Sequence, residues 1–131
     1  MAFYHGRSKS RPYFGNRIYI TDSLSYASLY SDSDFVYEVE ILFDMSDVFS
    51  IKNDTHFNKL KGIVPHLDKI NRDEELDWSM TDLLSNDNFE SGLDLIESLG
   101  FKGMFLKERT GIVSILVFDQ SNCALSSKIK V

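Results

Sequence analysis

Between Phe35 and Phe43 the chain alternates: Phe35, Tyr37, Val39, Ile41 and Phe43 fall on one side, Glu38 and Glu40 on the other. A period of two belongs to an extended strand, whose successive side chains face opposite sides of a sheet. The aromatic and β-branched residues at these positions suit a pleated, half-buried surface. Such a strand needs partners to pair with and an apolar layer to cover its inner face. An all-helical fold is therefore excluded. The rest of the sequence must supply the partners and the cover.

Ala2–His5 is short and aromatic and reads as a first strand, and Arg17–Thr21 as a second. Residues 7–16, rich in Ser, Arg, Pro, Gly and Asn, read as the loop between them. Thr21 or Asp22 can cap a helix over 23–31, with Leu24, Ala27, Leu29 and Tyr30 apolar. Residues 44–65 read as irregular, with a short strand at Val48–Ile51, and Pro65 marks the next edge. From His66 to Leu99 the apolar spacing predicts helix: Leu67, Ile70, Leu76, Met80, Leu83, Leu84, Phe89, Leu93 and Ile96. Gly100 ends it as a cap. Phe101–Lys107 and Ile112–Phe118 read as strands around a turn at Glu108–Gly111. Asp119–Asn122 turns again before a last strand, Ser127–Val131. Strands, a helix, a strand, a helical insert (about 54–99) and a run of strands make an α+β domain, not an alternating β/α one.

The 131 residues suffice for one core, and 43% apolar with 26% charged residues is a globular balance. No apolar run approaches the roughly 20 residues of a membrane helix. The N-terminus lacks an apolar signal core, so a cytoplasmic setting is expected. Cys123 is the only cysteine, which excludes a disulfide framework. His5, His56 and His66 lack ligand spacing, so no metal is expected. A net charge of −6 argues against duplex DNA as a direct partner. The charge is uneven. Residues 1–17 carry Arg7, Lys9, Arg11 and Arg17 and no acid, a patch suited to a diphosphate. Residues 68–97 carry ten acids against Lys69 and Arg72. That half reads as a solvated helical face, or as a surface that meets a basic protein or mimics nucleic acid.

Taken singly, no residue compels a function. His5 alone reads as a partly buried strand histidine, and Tyr19 and Tyr30 as core or rim aromatics. Together they resemble a known family. Tyr4-His5-Gly6 is similar to the opening motif of ADP-ribosyltransferases of the His-Tyr-Glu class, the branch of diphtheria toxin and the poly(ADP-ribose) polymerases. The stretch from Ile18 through Tyr19, Thr21 and Asp22 to Tyr30 is similar, without a gap, to their second motif. Ile115–Asp119 with Ser127–Val131 resembles their last core strands. Leu99–Gly103 and the Glu108–Gly111 turn resemble small phage-encoded members, a type I-F anti-CRISPR enzyme among them. The resemblance covers 3–43 and 99–131.

It implies a split β-sandwich and NAD as substrate. It implies that His5 bonds the adenosine ribose, and that the Gly6 backbone pairs with the carboxamide. Tyr19 and Tyr30 would sandwich the nicotinamide. Arg7, with Arg11 or Arg17 as further candidates, would face the diphosphate. The third motif departs from the family. Its Glu, which stabilises charge at the anomeric carbon, is replaced by Ser114. A hydroxyl offers a hydrogen bond but no charge. Some family members lack this Glu and still transfer a single ADP-ribose; a carboxylate could also come from Glu108, Asp82 or Asp87, each of which otherwise reads as a solvated surface acid. The resemblance thus implies mono-ADP-ribosylation of a macromolecular acceptor, a host protein or a nucleic-acid-binding host complex. The alternative is a silent module that binds NAD or a partner and inhibits by contact through its acidic insert.

Overall fold

The structure, a computed structural model, describes residues 2–7, 16–64, 67, 70–77 and 89–130. The extended, apolar-rich segments form β1 (Phe3–His5), β2 (Ile18–Thr21), β3 (Phe35–Ile41), β4 (Val48–Phe49), β5 (Gly103–Leu106), β6 (Ser114–Val117) and β7 (Cys123–Lys130). Helices α1 (Leu24–Ser28), α2 (Asp54–Lys61) and α3 (Phe89–Ser98) join them. The strands pair into one seven-stranded sheet of order β4-β5-β6-β2-β1-β3-β7. Only β4 and β5 run parallel; the other pairs are antiparallel. Strands and helices are mixed, as an α+β chain requires.

The strand period divides the core in two. On one face, Leu116, Met104 and Leu106 pack with Leu60, Leu93, Ile96 and Phe101, so α2 and α3 cover this side. On the other, Ile18, Ile20, Ile115 and Val117 meet Phe3, Val39 and Val48. Val48 lies in the strand at one edge and Val39 in the strand beside the opposite edge. They share a cluster through Ile115, Val117, Ile18, Ile20 and Phe3 on the strands between them. Val39 and Ile41 join this cluster, as the alternation in β3 predicts. Val36, at an even position, is also buried, because α1 packs against β3 as well as β1 and β2.

Four expectations are corrected. The cap of α1 is Ser23, whose hydroxyl accepts from the Tyr26 amide, and α1 stops at Ser28. Asp22 is engaged elsewhere, as described below. Asp54–Lys61, within the stretch 44–65 read as irregular yet at the start of the expected helical insert (about 54–99), is helix. Asn53 caps it, Asp54 opens it and Lys59 and Lys61 close it, which suits the helix dipole. Residues 70–77, read as helix, are not. The Asn71 side chain accepts from the Asp73 amide, a local bond that competes with helix. Leu76 instead bridges Leu106, and its carbonyl accepts from the Lys107 amide. Finally, β7 begins at Cys123, ahead of the predicted Ser127, because its whole length pairs with β3. Gly100 closes α3 at φ +97°, a backbone state only glycine adopts without strain. His66, Met80, Leu83 and Leu84 lie outside the described residues.

Candidate functional site

His5 ends β1, beside β2. Its Nδ1 donates to the Tyr19 backbone carbonyl at 2.8 Å. That bond fixes the neutral tautomer with hydrogen on Nδ1, so Nε2 is the acceptor. The ring is 3% exposed. Burial pulls its pKa below the ordinary 6.5, and Arg7 adds to this against the opposing pull of the Tyr19 carbonyl.

Tyr19 and Thr21 alternate with Ile18 and Ile20 along β2, so they share a face. Thr21 pairs with Ser114 of β6, which also pairs with Leu106 of β5. The Tyr19 side chain thereby reaches the start of β6. Its hydroxyl lies 3.0 Å from Ser114 Oγ and donates to the Glu108 carboxylate. Burial holds the phenol far above its ordinary range, and the bond to Glu108 pushes the same way; Ser114 works against both.

Glu108 is the second residue after β5. Two devices hold its loop. Gly111 turns the chain at φ +86°, and the Ile112 amide donates to the Arg109 carbonyl. Asp22 then straps the far end: its amide donates to the Val113 carbonyl, and its carboxylate accepts from the Val113 amide, both at 2.9 Å. Asp22 therefore anchors the loop that carries Glu108.

Tyr30 follows α1. Its ring centroid lies 5.4 Å from that of Tyr19, tilted by 59°, and 5.6 Å from that of Tyr26. Its hydroxyl donates to Tyr26 Oη at 3.3 Å. The Tyr26 phenol is held above its ordinary range by its place beside Tyr30 and the Glu108 carboxylate. Tyr19, Tyr26, Tyr30, Ser114 and Glu108 thus form one connected group, with His5 behind Tyr19.

Gly6 is buried under α1. A Cβ there would stand 2.0 Å from the Ala27 carbonyl oxygen, so the missing side chain makes room for helix backbone. Arg7 is exposed, with its guanidinium 5.6 Å from the Tyr37 ring centroid. Arg17 is engaged within the fold. Its side chain is 10% exposed and paired with Asp94, with Glu97 at 3.6 Å, which stitches α3 to β2. Arg11, Asp82 and Asp87 lie outside the described residues. A groove of roughly 650 Å³, lined by Phe3, Glu38, Glu40, Phe43 and Met45, includes none of the group.

The two tyrosines touch each other. Stacking a flat ring between them needs about 7 Å, two van der Waals contacts. At 5.4 Å the rings leave no slot, and Tyr30 lies beyond the end of its helix.

Sequence reasoning missed Tyr26 and the strap made by Asp22. The four-residue spacing of Tyr26 and Tyr30 was the available signal for the first. Asp22 gave none, since its partner is 91 positions away. Comparison with protein-family models, curated proteins and solved structures yields no match.

Proposed function

We propose that this chain is an NAD-dependent mono-ADP-ribosyltransferase with the split β-sandwich of that superfamily. One observation carries the reading: Glu108, from the loop before β6, meets Tyr19 beside Ser114, where the third motif lacks its carboxylate. His5 and Tyr30 adjoin the same tyrosine. In this reading His5 offers Nε2 to a ribose hydroxyl, and Arg7 meets the diphosphate. As the bond from ribose to nicotinamide breaks, its electron pair leaves with the nicotinamide. Glu108 then offsets the positive charge on the anomeric carbon. The acceptor nucleophile bonds to that carbon and loses its proton. Ser114 contributes a neutral hydrogen bond only, which disfavours chain elongation and fits a single transfer.

The acceptor is a protein, and the setting that fits is a host cytoplasm invaded by a phage or mobile element, with anti-CRISPR activity as one such role. No helix of the described residues is long and apolar enough to cross a membrane. Incubating the protein with labelled NAD and host lysate should give a labelled protein band. NAD, nicotinamide and ADP-ribose all failing to bind at several millimolar would sink the reading.

The closed slot favours a second reading. With Tyr30 against Tyr19 and His5 buried, the domain can act as a silent module that inhibits a partner by contact. Tight partner binding with no NAD consumption would select it.

A further inference from the structure

We propose that the groove beside the end of β3 docks an extended basic segment of a protein partner, which adds to the sheet there as a short strand. The groove holds none of the Tyr19 group, and docking in it needs no NAD turnover. It arises from two unequal strands. β3 spans seven residues and β1 three, and their ladder ends where Phe3 meets Val39. β3 runs on past that point through Glu40 and Ile41. Phe43 and Met45, on the chain that follows, complete a lining around roughly 650 Å³.

The backbone of β3 offers a ladder in this gap. The Leu42 amide donates to the Asn122 carbonyl, on the β7 side, at 2.9 Å. Backbone groups alternate sides along a strand, so the amide and carbonyl of Ile41 point the other way, into the line of β1. Side chains alternate too: Val39 and Ile41 share one face, Glu38 and Glu40 the other. A strand laid beside Ile41 would thus set alternate side chains next to Val39 and Ile41, and those between next to Glu38 and Glu40. The first set should be apolar, since Phe3, Phe43 and the 38% exposed Met45 continue that surface. The second should be cationic. The lining carries two carboxylates and no cation, and among the described residues no Lys or Arg pairs with Glu38 or Glu40. Glu38 accepts from the Ser127 hydroxyl at 3.1 Å, which leaves lone pairs for a cation. Lys and Arg suit such a place, with apolar stems and charged heads. The edge strand β7 is the competing place for strand addition, but Lys128, Lys130 and the register shift opposite Glu38 and Val39 guard it and repel a basic segment.

The probe is a capped synthetic pentapeptide, Lys-Leu-Lys-Leu-Lys, titrated into nitrogen-15-labelled protein. The amide resonances of Glu40, Ile41 and Phe43 should shift and saturate within millimolar peptide. Glu38→Gln combined with Glu40→Gln should weaken binding roughly threefold or more, as loss of two exposed ion pairs allows. Added salt should weaken the wild type in the same sense. Met45→Lys, a change at an exposed position, should weaken it through like charge in the groove, while amides outside the groove stay unmoved and show the fold intact. Glu-Leu-Glu-Leu-Glu should not bind, and N-acetyl-lysine amide, which carries the cation without the strand, should bind far more weakly than the pentapeptide. No shift at these amides, shifts confined to the acidic stretch 68–97, or an affinity unmoved in the double glutamine variant would each overturn the proposal. Equal binding of the acidic peptide would overturn the charge match, and equal binding of N-acetyl-lysine amide the added strand.

Discussion

In the proposed transferase, Ser114 and Glu108 would divide what one acid does in the His-Tyr-Glu enzymes, and their variants should separate accordingly. Ser114→Ala removes a neutral hydrogen bond worth about 1 kcal/mol, so NAD turnover should fall less than about tenfold. Glu108→Ala removes the charge, and turnover should fall on the order of a hundredfold or more. Equal losses from the two would show that the charge resides elsewhere. Tyr30 is only partly buried and outside both core clusters, so Tyr30→Ala should abolish turnover with little change in melting temperature. A large drop in melting temperature with NAD affinity intact would make it a packing residue. His5, Tyr19 and Tyr30 stood out in sequence through their motif-like spacing, and Glu108 through the turn that leads into β6; the structure brings the four side by side. Tyr26 was overlooked because only its four-residue spacing from Tyr30 announces their ring contact. The ion pairs of Arg17 left no sequence signal because Asp94 and Glu97 are remote in sequence.

Among the elements, β3 was the most legible, since a period of two survives without any knowledge of neighbours. The helix Asp54–Lys61 was the least, because it buries Leu60 alone and its signal lies in its caps. Residues 70–77 kept helical apolar spacing while folding as irregular chain: Ile70 and Leu76 are buried all the same. Apolar periodicity reports burial, and only local bonds such as that of Asn71 decide the backbone. The join of β1 to α1 yields a sharper test. Gly6→Ala would set its Cβ 2.0 Å from the Ala27 carbonyl oxygen, and that oxygen belongs to helix backbone. Relief requires α1 to move as a body, and Tyr26 and Tyr30 with it. The variant should lose about 1–3 kcal/mol in denaturant unfolding and, in the folded fraction, its NAD turnover. Wild-type stability in Gly6→Ala would show that α1 sits farther from β1 than described.

For the whole molecule, the buried histidine ties stability to pH. The pKa of His5 is lowered on folding, so the unfolded chain binds more protons just below pH 6.5. Its contribution is complete above about pH 6.5 and is lost as pH falls toward the folded value. His56, lowered by burial and by Lys59, acts in the same sense. Glu75 opposes them. Burial raises its pKa above the ordinary 4.5, so its contribution is complete below that value and fades as pH rises through the folded one. The wild-type curve between about pH 5 and pH 7 is thus a difference of opposing slopes, and a single-site variant is needed to read His5 alone. His5→Asn suits this purpose: its amide can still donate to the Tyr19 carbonyl, yet it cannot ionise. The stability gap between wild type and His5→Asn, measured by urea unfolding, should shrink as pH falls from about 7 to about 5, because only the wild type loses the His5 contribution. A gap that stays constant across that range would mean that folding leaves the His5 pKa unchanged. The neutral Nδ1–H tautomer, with its Nε2 acceptor for ribose, would then no longer follow from burial.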